Sequence, residues 1–206
     1  KSRFEKNSKN AYTFEVIVAD ILNVLNHLKI KSSNFIGVSL GTIIVREIAE
    51  KHPKFAESLV LVGAILKFNF RSNFLMRLGN SLRSLIPYLL LYKLFAFIIM
   101  PNKNHKESRL LLVRECKKLY QKEFIRWCKL TIGINQLLKI HRMNDLNIPS
   151  LYIMGEEDYL FLPSIKKAVS NFSNAQLHIS KNAGHIANVD QPLEFNNVSI
   201  NFLKSL

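Results

Sequence analysis

The chain has 206 residues, 48% of them hydrophobic and 21% charged, which is enough apolar surface for one sizeable core and too little charge for a disordered polymer. Its net charge of +14 is uneven: residues 67–145 carry sixteen Lys and Arg against four Asp and Glu, while the remainder carries thirteen against eleven. Such an imbalance speaks to anionic partners and encounter rates rather than to fold, and with no recognition motif beside it nucleic-acid binding is not expected.

The opening stretch, Lys1 to Asn10, is polar and lacks the apolar segment of a secretion signal; the chain starts at Lys rather than Met, so targeting information ahead of it is not visible. From Tyr12 to Leu28 the residues Phe14, Ile17, Ile21, Val24, Leu25 and Leu28 recur at helical spacing, with Thr13 placed to cap the helix. Asn34 to Val38 is a short apolar run ending in Gly37 and Ser39. Ile43, Ile44, Val45, Ile48 and Ala49 then continue with helical periodicity until His52-Pro53 stops them. This reads as strand, tight turn, helix. Ser58 to Val62, closed by Gly63, and Ser150 to Met154, closed by Gly155, have the continuous apolar character of strands buried on both faces.

A helix is expected around Pro163 to Phe172, a last strand over Ala175 to Ser180 and a terminal helix from Pro192 to Leu203. Strands alternating with helices predict an α/β fold with a mostly parallel sheet. The interval 67–147 interrupts that alternation: it is basic, aromatic and helical in character. It is expected to be an inserted helical cap between two core blocks, residues 1–66 and 148–206.

Within the insert, the apolar run Leu85 to Met100 is sixteen residues long and contains Pro87 and Lys93. A membrane-spanning helix needs about 20 apolar residues, so a surface-lying or buried helix is expected. From Lys106 to Lys129, Leu110, Val113, Cys116, Tyr120, Phe124 and Trp127 fall near one helical face, with eight Lys and Arg among the other positions. This predicts a basic amphipathic helix, whose apolar face covers a cleft or which makes peripheral contact with an anionic membrane. Cys116 and Cys128 have neither metal-ligand spacing nor a disulfide framework and read as reduced and packed, which fits a reducing, cytoplasmic location.

Gly37-Val38-Ser39-Leu40-Gly41 has the form G-x-S-x-G and lies between a predicted strand and a predicted helix. Two glycines there allow a sharp turn and a close approach of helix to strand, which pushes the serine out above the sheet. The Leu40 backbone N–H, at the helix N-terminus, can then donate to a developing oxyanion. A serine hydroxyl needs a base, and that base needs a carboxylate to hold its tautomer. Glu156, Glu157 and Asp158 follow the strand ending at Met154, at the carboxyl end where active groups of parallel sheets collect; two of the three are expected to be solvated loop charge. Of six histidines, His27 and His52 fall on or at the end of surface helices, His105 and His141 in the insert as solvated or partly packed groups, and His178 inside a strand. His185 alone follows a strand on a short loop before the last helix.

Three blocks resemble the α/β-hydrolase superfamily, its capped lipase-like and esterase-like branch in particular. They are Phe35-Ile36-Gly37-Val38-Ser39-Leu40-Gly41-Thr42, Ile153-Met154-Gly155-Glu156-Glu157-Asp158, and Ala183-Gly184-His185-Ile186-Ala187 with Gln191-Pro192, in the family order Ser, acid, His. The resemblance implies Ser39 as nucleophile, Asp158 as acid and His185 as base. Asp158 is singled out because the family turn is G-x-x-D, and Glu157 is a second contender. It also implies hydrolysis of a small-molecule carboxylic ester or thioester through an acyl-enzyme, with no metal or organic cofactor; the aromatic, basic insert points to a hydrophobic acyl chain and an anionic head group.

An acyltransferase, a carbon–carbon bond hydrolase on the same fold, or a catalytically silent binding or membrane-associated protein are the alternatives. Such hydrolases carry further strands before the nucleophile strand and a loop with a second oxyanion donor, so the chain reads as the C-terminal two-thirds of one. It is expected to expose an apolar sheet edge beside that strand, to fold poorly and to hydrolyse esters weakly.

Overall fold

The structure, a computed structural model, describes residues 13–68, 70, 73, 74, 77, 78, 81, 86–130 and 134–206, with only the backbone of Phe124, Cys128 and Lys129. The polar stretch Lys1 to Asn10, Tyr12 at the head of the first helix and Leu85 at the head of the apolar run lie outside the described residues.

Helix α1, Phe14–His27, begins where Thr13 Oγ1 accepts the Val16 N–H at 3.4 Å, pairing one donor of the helix's open first turn. Its buried face is Phe14, Ile17, Val18, Leu22 and Leu25. Val24 and Leu28, which the spacing assigned to that face, are exposed: the stripe that fits against the neighbouring helix follows 14, 17/18, 22 and 25. Strand β1, Ser33–Val38, leads into α2, Leu40–Lys51, and β2, Ala56–Val62, follows a short turn over Pro53–Phe55. After the long insert come β3, Ser150–Gly155, and β4, Ala175–Ser180, with a further helix, Leu162–Val169, between them. The four strands form one sheet in the order β1-β2-β3-β4, every neighbour parallel. The register sets Val38 beside Val62, Val62 beside Ile153 and Ile153 beside His178, which brings the carboxyl ends of all four strands to one rim.

The two central strands are apolar on both faces, as parallel strands covered by helices must be. Leu59, Leu61, Tyr152 and Met154 pack with α1, α2 and part of the insert, whereas Val60, Val62, Leu151 and Ile153 pack on the other face against Phe202 and its neighbours in the terminal helix, Pro192–Lys204. Strand β1 is an edge strand of this sheet, with Asn34 and Ile36 exposed.

The insert between β2 and β3 contributes α3, Tyr88–Ile99, α4, Lys106–Cys116, α5, Gln121–Leu130, and α6, Ile134–Met143. Two expectations are corrected here. The basic stretch from Lys106 to Lys129 is two helices rather than one: the chain tightens after Cys116, and the Leu119 carbonyl accepts the Tyr88 hydroxyl at 2.8 Å instead of continuing a helical ladder. Its apolar positions are not one buried face either, since Cys116 is buried but Leu110 and Tyr120 are exposed. The run toward Met100 is the helix α3, and among the described residues no helix is long and apolar enough to cross a membrane.

Candidate active site

Ser39 sits between the end of β1 and the start of α2 with φ 52° and ψ −117°, a backbone conformation that is costly for a residue with a side chain. It is held there by local bonds. The Ser39 N–H donates to Val62 O at 2.9 Å, and the Ser39 carbonyl accepts the Thr42 N–H at 2.9 Å and its hydroxyl at 2.6 Å. Gly37 makes the turn possible, because a Cβ there would lie 2.7 Å from Gly41 O and 2.8 Å from a Val45 methyl. The second glycine of the motif differs from expectation: a Cβ on Gly41 would meet nothing within 4 Å, so packing among the described residues does not require it to be glycine.

Parallel pairing brings the other two loops to the same rim. Asp158 lies on the turn between β3 and the next helix and is fully buried. Its Oδ1 accepts the Phe161 N–H at 3.1 Å, and its Oδ2 lies 2.8 Å from His185 Nδ1. A carboxylate out of water is tolerable only when its oxygens are hydrogen-bonded in this way. His185, on the loop after β4, is 4% exposed, and its Nε2 lies 2.7 Å from Ser39 Oγ. The three side chains picked out by the sequence therefore meet, 27 and 146 residues apart along the chain. Hydroxyl, imidazole and carboxylate lie in one hydrogen-bonded line, and a carboxylate beside Nδ1 favours the tautomer that carries its proton there. The Leu40 N–H is the first of α2, beside Ser39.

Several neighbours escaped the sequence reading. Gly63, at the end of β2, has φ +54°, and a Cβ there would lie 2.2 Å from the His185 carbonyl oxygen: His185 is backed by bare backbone. The Phe161 ring lies 5.0 Å from the His185 ring. Asp190, on a four-residue helix over Ala187–Asp190, accepts the Gly184 N–H at 2.8 Å and so holds the residue just before His185. Its place five residues after His185 was the only signal for it.

The remaining candidates are distributed as follows. His27 is exposed and His52 half-buried, and His178 in β4 pairs with Glu194 at 2.6 Å. His105 and His141, expected to be solvated or partly packed, are both fully buried against carboxylates, Glu157 and Glu47 respectively. Glu156 is exposed. Glu157, the second contender for the acid and otherwise expected to be solvated, is neither: its carboxylate is taken up by Asn102, Asn104 and His105 of the insert. The Asn104 amide foremost, with Asn102 and His105 behind it, holds its pKa below the ordinary carboxylate value against the opposing effect of burial. Among the described residues no cluster of His, Cys, Asp and Glu could hold a metal ion.

A parallel sheet that brings the Ser39 turn, the Asp158 turn and the His185 loop to one rim has the layout of an α/β-hydrolase fold. A family model described as the alpha/beta hydrolase fold matches residues 1–92. The uncharacterized hydrolase YugF of Bacillus subtilis is 27% identical over 205 residues, covering 91% of this chain and 71% of that protein. Among solved structures, the α/β-hydrolase enzyme MGS-M2 from a Medee basin deep-sea metagenome library superposes with a TM-score of 0.75 at 24% identity, over 95% of this chain and 73% of that one. The enol-lactonase of Burkholderia xenovorans LB400 also superposes at 0.75, with 18% identity over 94% and 74%. The chain has the α/β-hydrolase fold and is similar in sequence and structure to hydrolases built on it.

Proposed function

We propose that the chain is a serine hydrolase that cleaves a carboxylic ester or thioester through an acyl-enzyme, with Ser39 as nucleophile, His185 as base and Asp158 as the acid that orients it. The observation that carries this reading is the unbroken relay, 2.7 Å from Ser39 Oγ to His185 Nε2 and 2.8 Å from His185 Nδ1 to Asp158 Oδ2. In the first half-reaction His185 takes the Ser39 proton as the oxygen attacks the carbonyl carbon. The tetrahedral oxyanion receives the Leu40 N–H, and the leaving group departs with the proton from His185. Water, activated by the same imidazole, then releases the acid and restores the serine. The positive end of the twelve-residue helix α2 favours the negative charge that develops there.

The insert is proposed as a cap that shapes the acyl pocket. Its apolar helices and net positive charge favour a hydrophobic acyl chain and an anionic leaving group or head group. The test is turnover on a series of 4-nitrophenyl esters and acyl thioesters of increasing chain length, with Ser39→Ala as control. Activity that rises with acyl length and is lost in the variant supports the reading, whereas turnover undiminished in Ser39→Ala overturns it. Running the reaction with a competing alcohol separates water from other acyl acceptors, and so a hydrolase from an acyltransferase.

A further inference from the structure

The turn that leads into α4 touches both loops of the relay at once. The Asn102 and Asn104 side-chain amides donate to Glu157 Oε2 at 2.8 and 2.9 Å, and Asn104 also donates to Asn182 O at 3.0 Å. Between them His105 is fully buried, with Nε2 2.7 Å from the same Glu157 oxygen. The N–H is poorly aligned on that oxygen, and neither ring nitrogen has a well-formed hydrogen bond among the described residues, so the contact is electrostatic and steric. The other side of the ring lies on Gly184, where a Cβ would come within 2.7–2.9 Å of three ring atoms. One turn further on, the Ser108 hydroxyl donates to Asp190, whose second oxygen accepts the Gly184 N–H at 2.8 Å.

The juxtaposition is specific. Glu157 immediately precedes Asp158, Gly184 immediately precedes His185, and a single imidazole from the insert is wedged between them. The two loops also touch directly, through the Glu156 N–H to Ser180 O and Glu157 N–H to Ala183 O bonds of 2.9 Å each and the seating of Gly155 on the Ala183 and Gly184 backbone; the insert adds a second connection from outside. We propose that His105, with Asn102 and Asn104, is a positioning group for the reaction: docked on Glu157 and Gly184, the insert sets the separation of Asp158 and His185, and hence the aim of Nε2 at Ser39. This rests on the relay reading of the site. None of the three residues touches the reacting atoms; they act through the loops that carry them. A buried group held off its working geometry by about 1 Å loses on the order of 100-fold in rate, so loosening the clamp should lower the chemical step while leaving substrate binding nearly unchanged.

The experiment measures the rate at which a fluorophosphonate modifies Ser39, together with kcat and KM for a 4-nitrophenyl ester, at a temperature well below each variant's Tm. The variants are His105→Ala, His105→Gln, Glu157→Gln and the double variant Asn102→Ala/Asn104→Ala. The expected result is a 10- to 100-fold fall in labelling and kcat for His105→Ala, with KM within about twofold and partial rescue by His105→Gln, a polar side chain of similar reach. The double variant is expected to show a smaller fall of the same kind. It changes a half-buried and an exposed side chain and decides the matter by itself should His105→Ala fail to fold. Wild-type protein that labels at Ser39, with variants that lose only Tm and keep wild-type labelling and kcat, would overturn the clamp and leave the relay standing. Wild-type protein that does not label at Ser39 would overturn both.

Discussion

Ser39 Oγ and His185 Nε2 are 2.7 Å apart across 146 residues of chain, and that contact exists because β1 and β4 run parallel in one sheet and release their loops at the same edge. Asp158 Oδ2 lies 2.8 Å from His185 Nδ1, and in the proposed mechanism it aims the imidazole. Asp158→Asn should therefore leave the fold in place and lower kcat on the order of 10⁴-fold, because an amide can donate to Nδ1 and stabilise the wrong tautomer. Steady-state kinetics beside a circular dichroism melt will check it: an unchanged Tm with kcat within tenfold of wild type would contradict the assigned role.

Gly63 packs directly behind His185. With φ +54° and only 2.2 Å between a built Cβ and the His185 carbonyl oxygen, Gly63→Ala must displace the histidine loop or the end of β2. The expected outcome is loss of most fluorophosphonate reactivity, together with a stability cost of roughly 1–3 kcal/mol. Gly37→Ala should cost a similar amount, because its Cβ would strike the Gly41 carbonyl. Gly41→Ala, facing open space, should be tolerated far better. Urea melts of the three variants give the ranking.

Away from the relay, Arg46 is 2% exposed and ties α2 to the rest of the core. It donates to the Tyr152 hydroxyl at 2.5 Å, to Asn144 O at 2.6 Å and to Glu50 at 3.2 Å, and its guanidinium stacks 5.0 Å from the Phe172 ring centre. Removing one partner from such a cluster leaves buried groups unpaired, at a cost of roughly 3–5 kcal/mol. Arg46→Ala should thus lower Tm by on the order of 10 °C in a chain of this size, with kcat per folded molecule little changed at low temperature. Calorimetry and kinetics on the same preparation separate the two effects.

The neighbouring Glu47 is 1% exposed, paired with His141 at 3.1 Å and with Lys51. Burial pushes its carboxyl pKa up, but the bonds from His141 and Lys51 outweigh burial and hold it below the ordinary value. A group whose folded-state pKa lies below its unfolded value contributes stability that is complete above the unfolded pKa, about 4.3. That contribution is lost as pH falls through the folded value. The urea midpoint should therefore drop as pH is lowered below about 4.5, and Glu47→Gln should be less stable at pH 7 with a shallower acid limb. Parallel curves for the two proteins would contradict the pairing.

Cys116 is a buried thiol whose pKa burial pushes up to about 11. Since the thiolate is the reactive form, native protein at about pH 8 should leave the Cys116 peptide unmodified by iodoacetamide over a period that fully alkylates it in urea. Peptide mass spectrometry reads this site directly.

The sequence exposed the parts of the fold that local chemistry dictates. Continuous apolar runs at β2 and β3, the Thr13 cap and the His52-Pro53 stop each leave a signature within a few residues, and G-x-S-x-G between strand and helix located Ser39. His185 stood out by its place on a loop after the last strand, and Asp158 was chosen among three neighbouring carboxylates through the resemblance to the G-x-x-D turn; the structure brings both side chains to Ser39. What stayed hidden depends on contacts between distant segments. His105 and His141 look like ordinary polar residues of a basic helical stretch, and only folding buries each against a carboxylate more than 50 residues away. Glu157 and Asp158 are chemically near-equivalent neighbours in the sequence, and the difference between them lies in which way the turn directs each side chain. The break between α4 and α5 carries no Gly or Pro to announce it, and the Tyr88 hydroxyl that takes up the Leu119 carbonyl there comes from 31 residues away.

The most direct measurement is the mass of the intact protein after reaction with a fluorophosphonate, with the modified peptide sequenced, for wild type and His185→Ala side by side. The account predicts a single adduct on Ser39 in the wild type and a rate reduced by several orders of magnitude in the variant. An adduct at another residue, no adduct at all, or equal labelling of both proteins would contradict it.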